Sequence, residues 1–254
     1  MSDTLLGVGF SVALLWALVA TSFRLWQWAK TPSPLPIPLT PAPSTRRGVV
    51  ARLVLELFAF RSLLRANKTT WLASLLFHYG LLFVLIMHTR FLFDQLPMVL
   101  IPFIVWSGWA ALAMFLGLSV LLARRVFVDR LRYISAPSDY LHLLLLLAIV
   151  VSGLCVKRVW PVNTIAVGDF LQGAVTFNWQ ALPDSAVLVL HLLLVLVLVV
   201  VFPVSKLLHG VGIVFSPTFN QRDTAAKVRS ATVSNSSLGN SGKTENRSSG
   251  DVSS

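Results

Sequence analysis

The sequence predicts an all-α membrane protein of five transmembrane helices, with its N-terminus outside and its C-terminus in the cytoplasm. Three observations carry that expectation: the composition, the number of apolar stretches of bilayer length, and the placement of the basic residues. Of 254 residues, 56% are hydrophobic and 12% charged, with a mean hydropathy of +0.76. A soluble domain carries about 25% charged residues, so an ordinary cytosolic enzyme and a disordered chain are both excluded. A net charge of +11 would suggest nucleic acid in a soluble chain. In a membrane chain the excess belongs to topology, and no nucleic-acid partner is expected.

A helix needs about 20 apolar residues to cross a hydrocarbon core about 30 Å thick. Five stretches qualify: residues 5–23, 71–92, 98–122, 140–156 and 186–208. The first lacks a basic region ahead of it, and Arg24 and Lys30 follow it, so it reads as a retained span rather than a signal peptide. The fourth is the shortest and ends against Lys157 and Arg158. All Lys and Arg except Arg90, Lys157 and Arg158 fall after spans one and three or, from Lys206 onward, at the end of span five and in the tail, which is 18 of 21. That bias sets the orientation and places a multi-pass protein in the inner (cytoplasmic) membrane.

Between spans one and two, residues 31–43 hold six prolines. Proline fixes φ and removes an amide donor, so this segment reads as a stiff strap without a core of its own. Residues 49–68 then read as one helix, with Arg52 and Glu56 at i, i+4 and a stripe of Arg61, Arg65 and Lys68. Such a helix suits the cytoplasmic lipid surface or the docking of a soluble partner. From Gln221 the Ser/Asn/Gly/Lys-rich tail is expected to be disordered. Four regions follow: a first span (1–30), a strap with interfacial helix (31–70), a four-helix region (71–217) and a cytoplasmic tail (218–254).

Five histidines stand out: His78 and His88 in span two, His142 at the start of span four, His191 and His209 in span five. An imidazole in a membrane helix costs free energy unless it has a partner, so each is a functional candidate. At 1.5 Å and 100° per residue, His78 and His88 lie about 15 Å apart in depth, and His191 and His209 share one face about 27 Å apart. Spans two and five run in opposite directions. His78 therefore pairs with His209 near the cytoplasm, and His88 with His191 near the outer face.

Two imidazoles from facing helices at two depths are what two six-coordinate haem irons require. Zinc would want four ligands round one point, which histidines spread over this depth cannot supply. Pro203, between the two histidines of span five, is expected to kink that helix. The alternative at this level is a haem-free anchor or transporter whose histidines relay protons or metal ions. The single cysteine, Cys155, excludes an intrachain disulfide, a cysteine-ligated cluster and covalently attached haem c. It reads as an inert small residue. His142, three residues after Asp139, reads as a boundary or hydrogen-bonding residue, with haem-edge or proton handling as its other role.

The run Phe202-Pro-Val-Ser-Lys-Leu-Leu-His209, the preceding His191, and Phe77-His78-Tyr79-Gly80 with His88 resemble signatures of the nitrate reductase gamma subunit family. The resemblance covers roughly residues 71–217 and implies a five-span cytochrome b that holds two b-type haems and exchanges electrons with membrane quinone. Within that family, residues 32–43, 132–140 and 215–221 look closer to the cytochrome b subunit of the dissimilatory-sulfite-reductase-associated membrane complex. That likeness implies other membrane-complex subunits and a cytoplasmic iron–sulfur partner related to heterodisulfide reductases, connecting quinone to sulfur metabolism. The continuation after His209 departs from the nitrate reductase pattern, leaving a nitrate reductase gamma subunit as the alternative.

Near the outer pair, Arg90 is two residues past His88 and is a candidate for quinone or haem propionate, or for simple snorkelling to the interface. The apolar loop 159–183 is expected to lie on the membrane surface as a lid.

Overall fold

The computed structural model describes residues 2–33, 35, 37–38, 40–93 and 98–223, and among them the chain is helix and turn with no strand. Five helices are long and apolar enough to cross a membrane: Asp3–Lys30, Lys68–Phe91, Met98–Phe127, Pro137–Arg158 and Ala186–Val204. The chain divides into two compact units, residues 1–27 with 59–209 and residues 28–58 with 210–254.

In the first unit, α1 (Ser2–Lys30), α4 (Lys68–His88), α5 (Ser107–Phe127), α7 (Pro137–Arg158) and α9 (Ala186–Val201) supply the long helices. Two reciprocal glycines set the closest crossing. A Cβ on Gly117 of α5 would lie 2.5 Å from Ala73 O, and one on Gly80 of α4 would lie 2.7 Å from Ala110 O. In a bilayer, helix association rests on such backbone approach and side-chain packing rather than on expulsion of water. Phe77, Met114, Leu118, Leu146 and Val150 fill the space between α4, α5 and α7.

The segment expected as a surface lid holds a helix with one packed face. Residues Thr164–Thr176 form α8, capped by Asn163, whose side chain accepts from Ile165 N at 3.0 Å. Its Val167, Phe170 and Ala174 are buried with Phe10 of α1 and Leu188 and Leu192 of α9. Ser11 Oγ donates to Ala174 O at 2.6 Å, and Trp179 Nε1 donates to Ser11 Oγ at 3.1 Å. One face of the helix is thus packed inward, while Ile165, Val175 and Phe177 stay exposed.

Span five is not one continuous helix. α9 ends at Val201 and is followed by 3-10 turns Phe202–Val204 and Lys206–Leu208, with Ser205 extended between them at φ −103°, ψ 170°. Pro203 cannot donate to the turn before it, and Ser205 stabilises the break by donating to Phe202 O and accepting from Leu207 N. The expectation that His191 and His209 share one face through five regular turns is therefore corrected. Trp16 of α1 donates its indole N–H to Val200 O at 3.0 Å, satisfying a carbonyl at the failing helix end.

The expected helix 49–68 is also two helices, α2 (Arg46–Ala59) and α3 (Arg61–Ala66). Phe60 between them is left-handed at φ 47°, and Asn67 ends α3 and caps α4 through Thr70 N. Arg61 and Arg65 thus lie on α3 while Lys68 opens α4, so the three do not form one stripe.

In the second unit, the strap is held by a residue assigned to a disordered tail. After α10 (His209–Phe215) and α11 (Pro217–Asn220), Gln221 Oε1 accepts from Ile37 N at 2.7 Å. Gln221 Nε2 donates to Ser33 Oγ and Leu35 O, and Asp223 N donates to Pro43 O. A proline-rich strand has few amides to pair with itself, and one glutamine side chain both donates and accepts. The rest of the expected tail, residues 224–254, lies outside the described residues.

Candidate functional site

The inner pair meets. The rings of His78 on α4 and His209 at the start of α10 stand 5.9 Å apart between centroids, inclined at 80°. Phe60 and Phe77 close round His78 at 5.0 and 4.5 Å. The left-handed backbone of Phe60, which costs about 1–2 kcal/mol for a side chain with a Cβ, turns the chain there while its ring packs on His78.

Each histidine is oriented through Nδ1. His78 Nδ1 lies 2.8 Å from Ser74 O, His88 Nδ1 2.7 Å from Val84 O, and His209 Nδ1 3.0 Å from Lys206 O. A carbonyl oxygen only accepts, so each Nδ1 carries the proton and each Nε2 keeps its lone pair. His191 reaches the same state by another route. Its Nδ1 lies 2.9 Å from Ser152 Oγ, whose hydroxyl donates to Ala148 O at 2.8 Å. With Ile149 O also within the hydroxyl's reach at 3.0 Å, the Ser152 proton has two carbonyls to donate to, and His191 Nδ1 is placed to donate to the Ser152 oxygen. Gly153 gives the ring its room: a Cβ there would lie 3.0 Å from His191 Cε1.

His88 and His191 lie within electrostatic reach of each other, and Arg90 and Lys157 act on His88. Arg90 stacks over Phe91 at 4.5 Å, and Phe91 meets the His88 ring edge-on at 5.7 Å. Arg90 Nε is buried without a hydrogen-bond partner. Lys157 donates to Ile104 O and to Ser107 Oγ, while the Arg158 guanidinium lies over Gly108. Three cations thus gather at the end of the bundle that carries His88.

His142 donates from Nδ1 to Ser138 O and joins neither pair among the described residues. Cys155 is a free thiol. Ser74, Ser152 and Gly153 carry no signal in the sequence, because a serine or glycine in a span is ordinary until its partner is known. Asp139 and Lys206 each stand three residues before a histidine, His142 and His209, and that spacing is the one signal the sequence carries for them.

Among the described residues, no group of three or more His, Cys, Asp or Glu surrounds a point. Two protein donors suffice for a tetrapyrrole iron, whose ring nitrogens fill the remaining positions. His78 and His209, whose ring centres stand 5.9 Å apart, are two imidazole donors that would serve such a group.

Residues 48–229 match the family described as nitrate reductase gamma subunit. The chain is similar to the "Hdr-like menaquinol oxidoreductase cytochrome b-like subunit" of Archaeoglobus fulgidus, 33% identical over 269 residues that cover 85% of this chain and 80% of that one. It is also similar to the protein of the same name from Archaeoglobus profundus, 28% identical over 252 residues, covering 80% and 74% of the two chains.

Proposed function

The chain belongs to the nitrate reductase gamma subunit family, and from that membership we propose that it is a diheme cytochrome b subunit carrying electrons between membrane quinone and a cytoplasmic iron–sulfur partner. The observation that carries this reading is the facing pair His78 and His209, each with Nδ1 tied to a carbonyl and Nε2 free. His78 and His209 would hold one b-type haem, His88 and His191 the other. Haem held by these four histidines would supply one-electron chemistry.

The residues of this chain orient and tune. Backbone carbonyls and Ser152 fix the imidazole tautomers and raise their basicity as ligands. Arg90, Lys157 and Arg158 place positive charge at the outer pair, where a quinone or propionate carboxylate would be held. The relatives' name supports menaquinol as the quinone and a heterodisulfide-reductase-like subunit as the partner. The basic-residue bias supports an outer N-terminus and a cytoplasmic C-terminus in the inner membrane. Segments 32–43, 132–140 and 215–221 support a place in a sulfite-reductase-associated complex with further membrane subunits. The matching family's description favours a respiratory nitrate reductase as the second reading.

The test is a reduced-minus-oxidised spectrum of the purified protein, with haem counted per chain, before and after addition of a menaquinol analogue. A b-type α band, two haems per chain and reduction by menaquinol are expected. A protein free of haem would overturn the reading and leave the relay-histidine anchor.

A further inference from the structure

At the His78–His209 end, Lys206 is held at both ends of the residue. Its ammonium donates to Asp139 Oδ1 on α7 at 2.8 Å, and its main-chain carbonyl accepts the Nδ1 proton of His209 at 3.0 Å. Asp139 is itself a fixed point, its side chain only 12% exposed. Its Oδ2 accepts from Ala136 N at 3.1 Å and faces Arg125 Nη1 of α5 at 3.5 Å. Arg125 is anchored in turn, donating to Ser135 Oγ while its carbonyl accepts from Tyr140 Oη.

We propose that the Asp139–Lys206 ion pair is a positioning device that clamps the unwound end of span five to α7 and α5 and so aims His209 at His78. The Lys206 side chain is 68% exposed, and an ion pair with an exposed partner contributes little to global stability. What it does fix is the turn Lys206–Leu208, whose short 3-10 geometry has no regular helix to either side of Ser205. In a continuous helix the ladder of amide bonds would set the direction of His209. Here that ladder is broken at Pro203, and a side-chain tether to a neighbouring helix takes its place.

The inference rests on the reading of His209 as an axial ligand, and the test separates the two. Lys206→Met, Lys206→Arg, Asp139→Asn and His209→Ala variants are purified with their haems, and each is examined for haem content, low-temperature electron paramagnetic resonance and the midpoint potential of each haem. His209→Ala removes one haem if the ligand reading holds; retention of both haems there overturns that reading and this inference with it. With that control met, Lys206→Met and Asp139→Asn keep two haems per chain but shift the g-values and potential of the inner haem alone, and Lys206→Arg restores the wild-type signature. Because Lys206 is exposed, its variants report even if Asp139→Asn fails to accumulate. An inner-haem signature unchanged in Lys206→Met overturns the positioning role.

Discussion

Ser152 on α7 and His191 on α9 are joined by a hydrogen bond of 2.9 Å, a histidine anchor that crosses between helices through a side chain. Losing such a second partner of a metal-ligating histidine lowers metal affinity about 10–100-fold. Ser152→Ala is therefore expected to lower occupancy of the outer haem while leaving the inner one, measured as haem per chain after a dilution wash. Equal retention of both haems would show that His191 needs no help from α7.

His88→Ala and His191→Ala should each remove the outer haem and leave the inner one at least partly in place. His142→Ala should leave two haems per chain, because His142 is tied to Ser138 O and joins neither pair. A fall from two haems to one in His142→Ala would reassign the ligands.

Gly117→Ala puts a Cβ 2.5 Å from Ala73 O, a backbone atom that cannot swing aside. The α4–α5 crossing must open, at a cost of about 1–3 kcal/mol by the usual measure of overpacking. The expected readout is a lower unfolding temperature in detergent, with loss of haem following at higher temperature. An unchanged transition would mean that the two helices are free to separate.

Trp16→Phe keeps the ring and removes the donor to Val200 O. Leaving that carbonyl unpaired should cost about 1–3 kcal/mol, seen as faster amide exchange round the break at Pro203. Exchange rates equal to wild type would mean that another group already satisfies the carbonyl.

The strap and the segment after α11 form hydrogen bonds through Gln221. Gln221→Ala should increase proteolytic cleavage between residues 31 and 44. Deleting residues 31–44 should leave both haems present and quinol-reducible yet block electron transfer to the cytoplasmic partner. A deletion variant that still copurifies with and reduces an iron–sulfur subunit would restrict the strap to the lipid surface.

Five spans and their approximate ends were readable from the chain alone. Hydropathy over about 20 residues is a local property matched to a bilayer of fixed thickness, and charge bias is a property of loops; neither needs a contact map. The antiparallel course of spans two and five then suffices to put His78 opposite His209. Contacts between distant residues decided the rest. In loop 159–183 an apolar segment looks the same facing lipid or facing a neighbour, and contacts such as Ser11 to Ala174 decide that Val167, Phe170 and Ala174 form the packed face of α8. Phe60 turns left-handed and splits a helix that its sequence would continue. The direction of His209 follows from a broken helix and from Asp139, 67 residues away from Lys206 in sequence. The tautomers of the histidines follow from which carbonyl or hydroxyl each Nδ1 meets, and no spacing of residues contains that information.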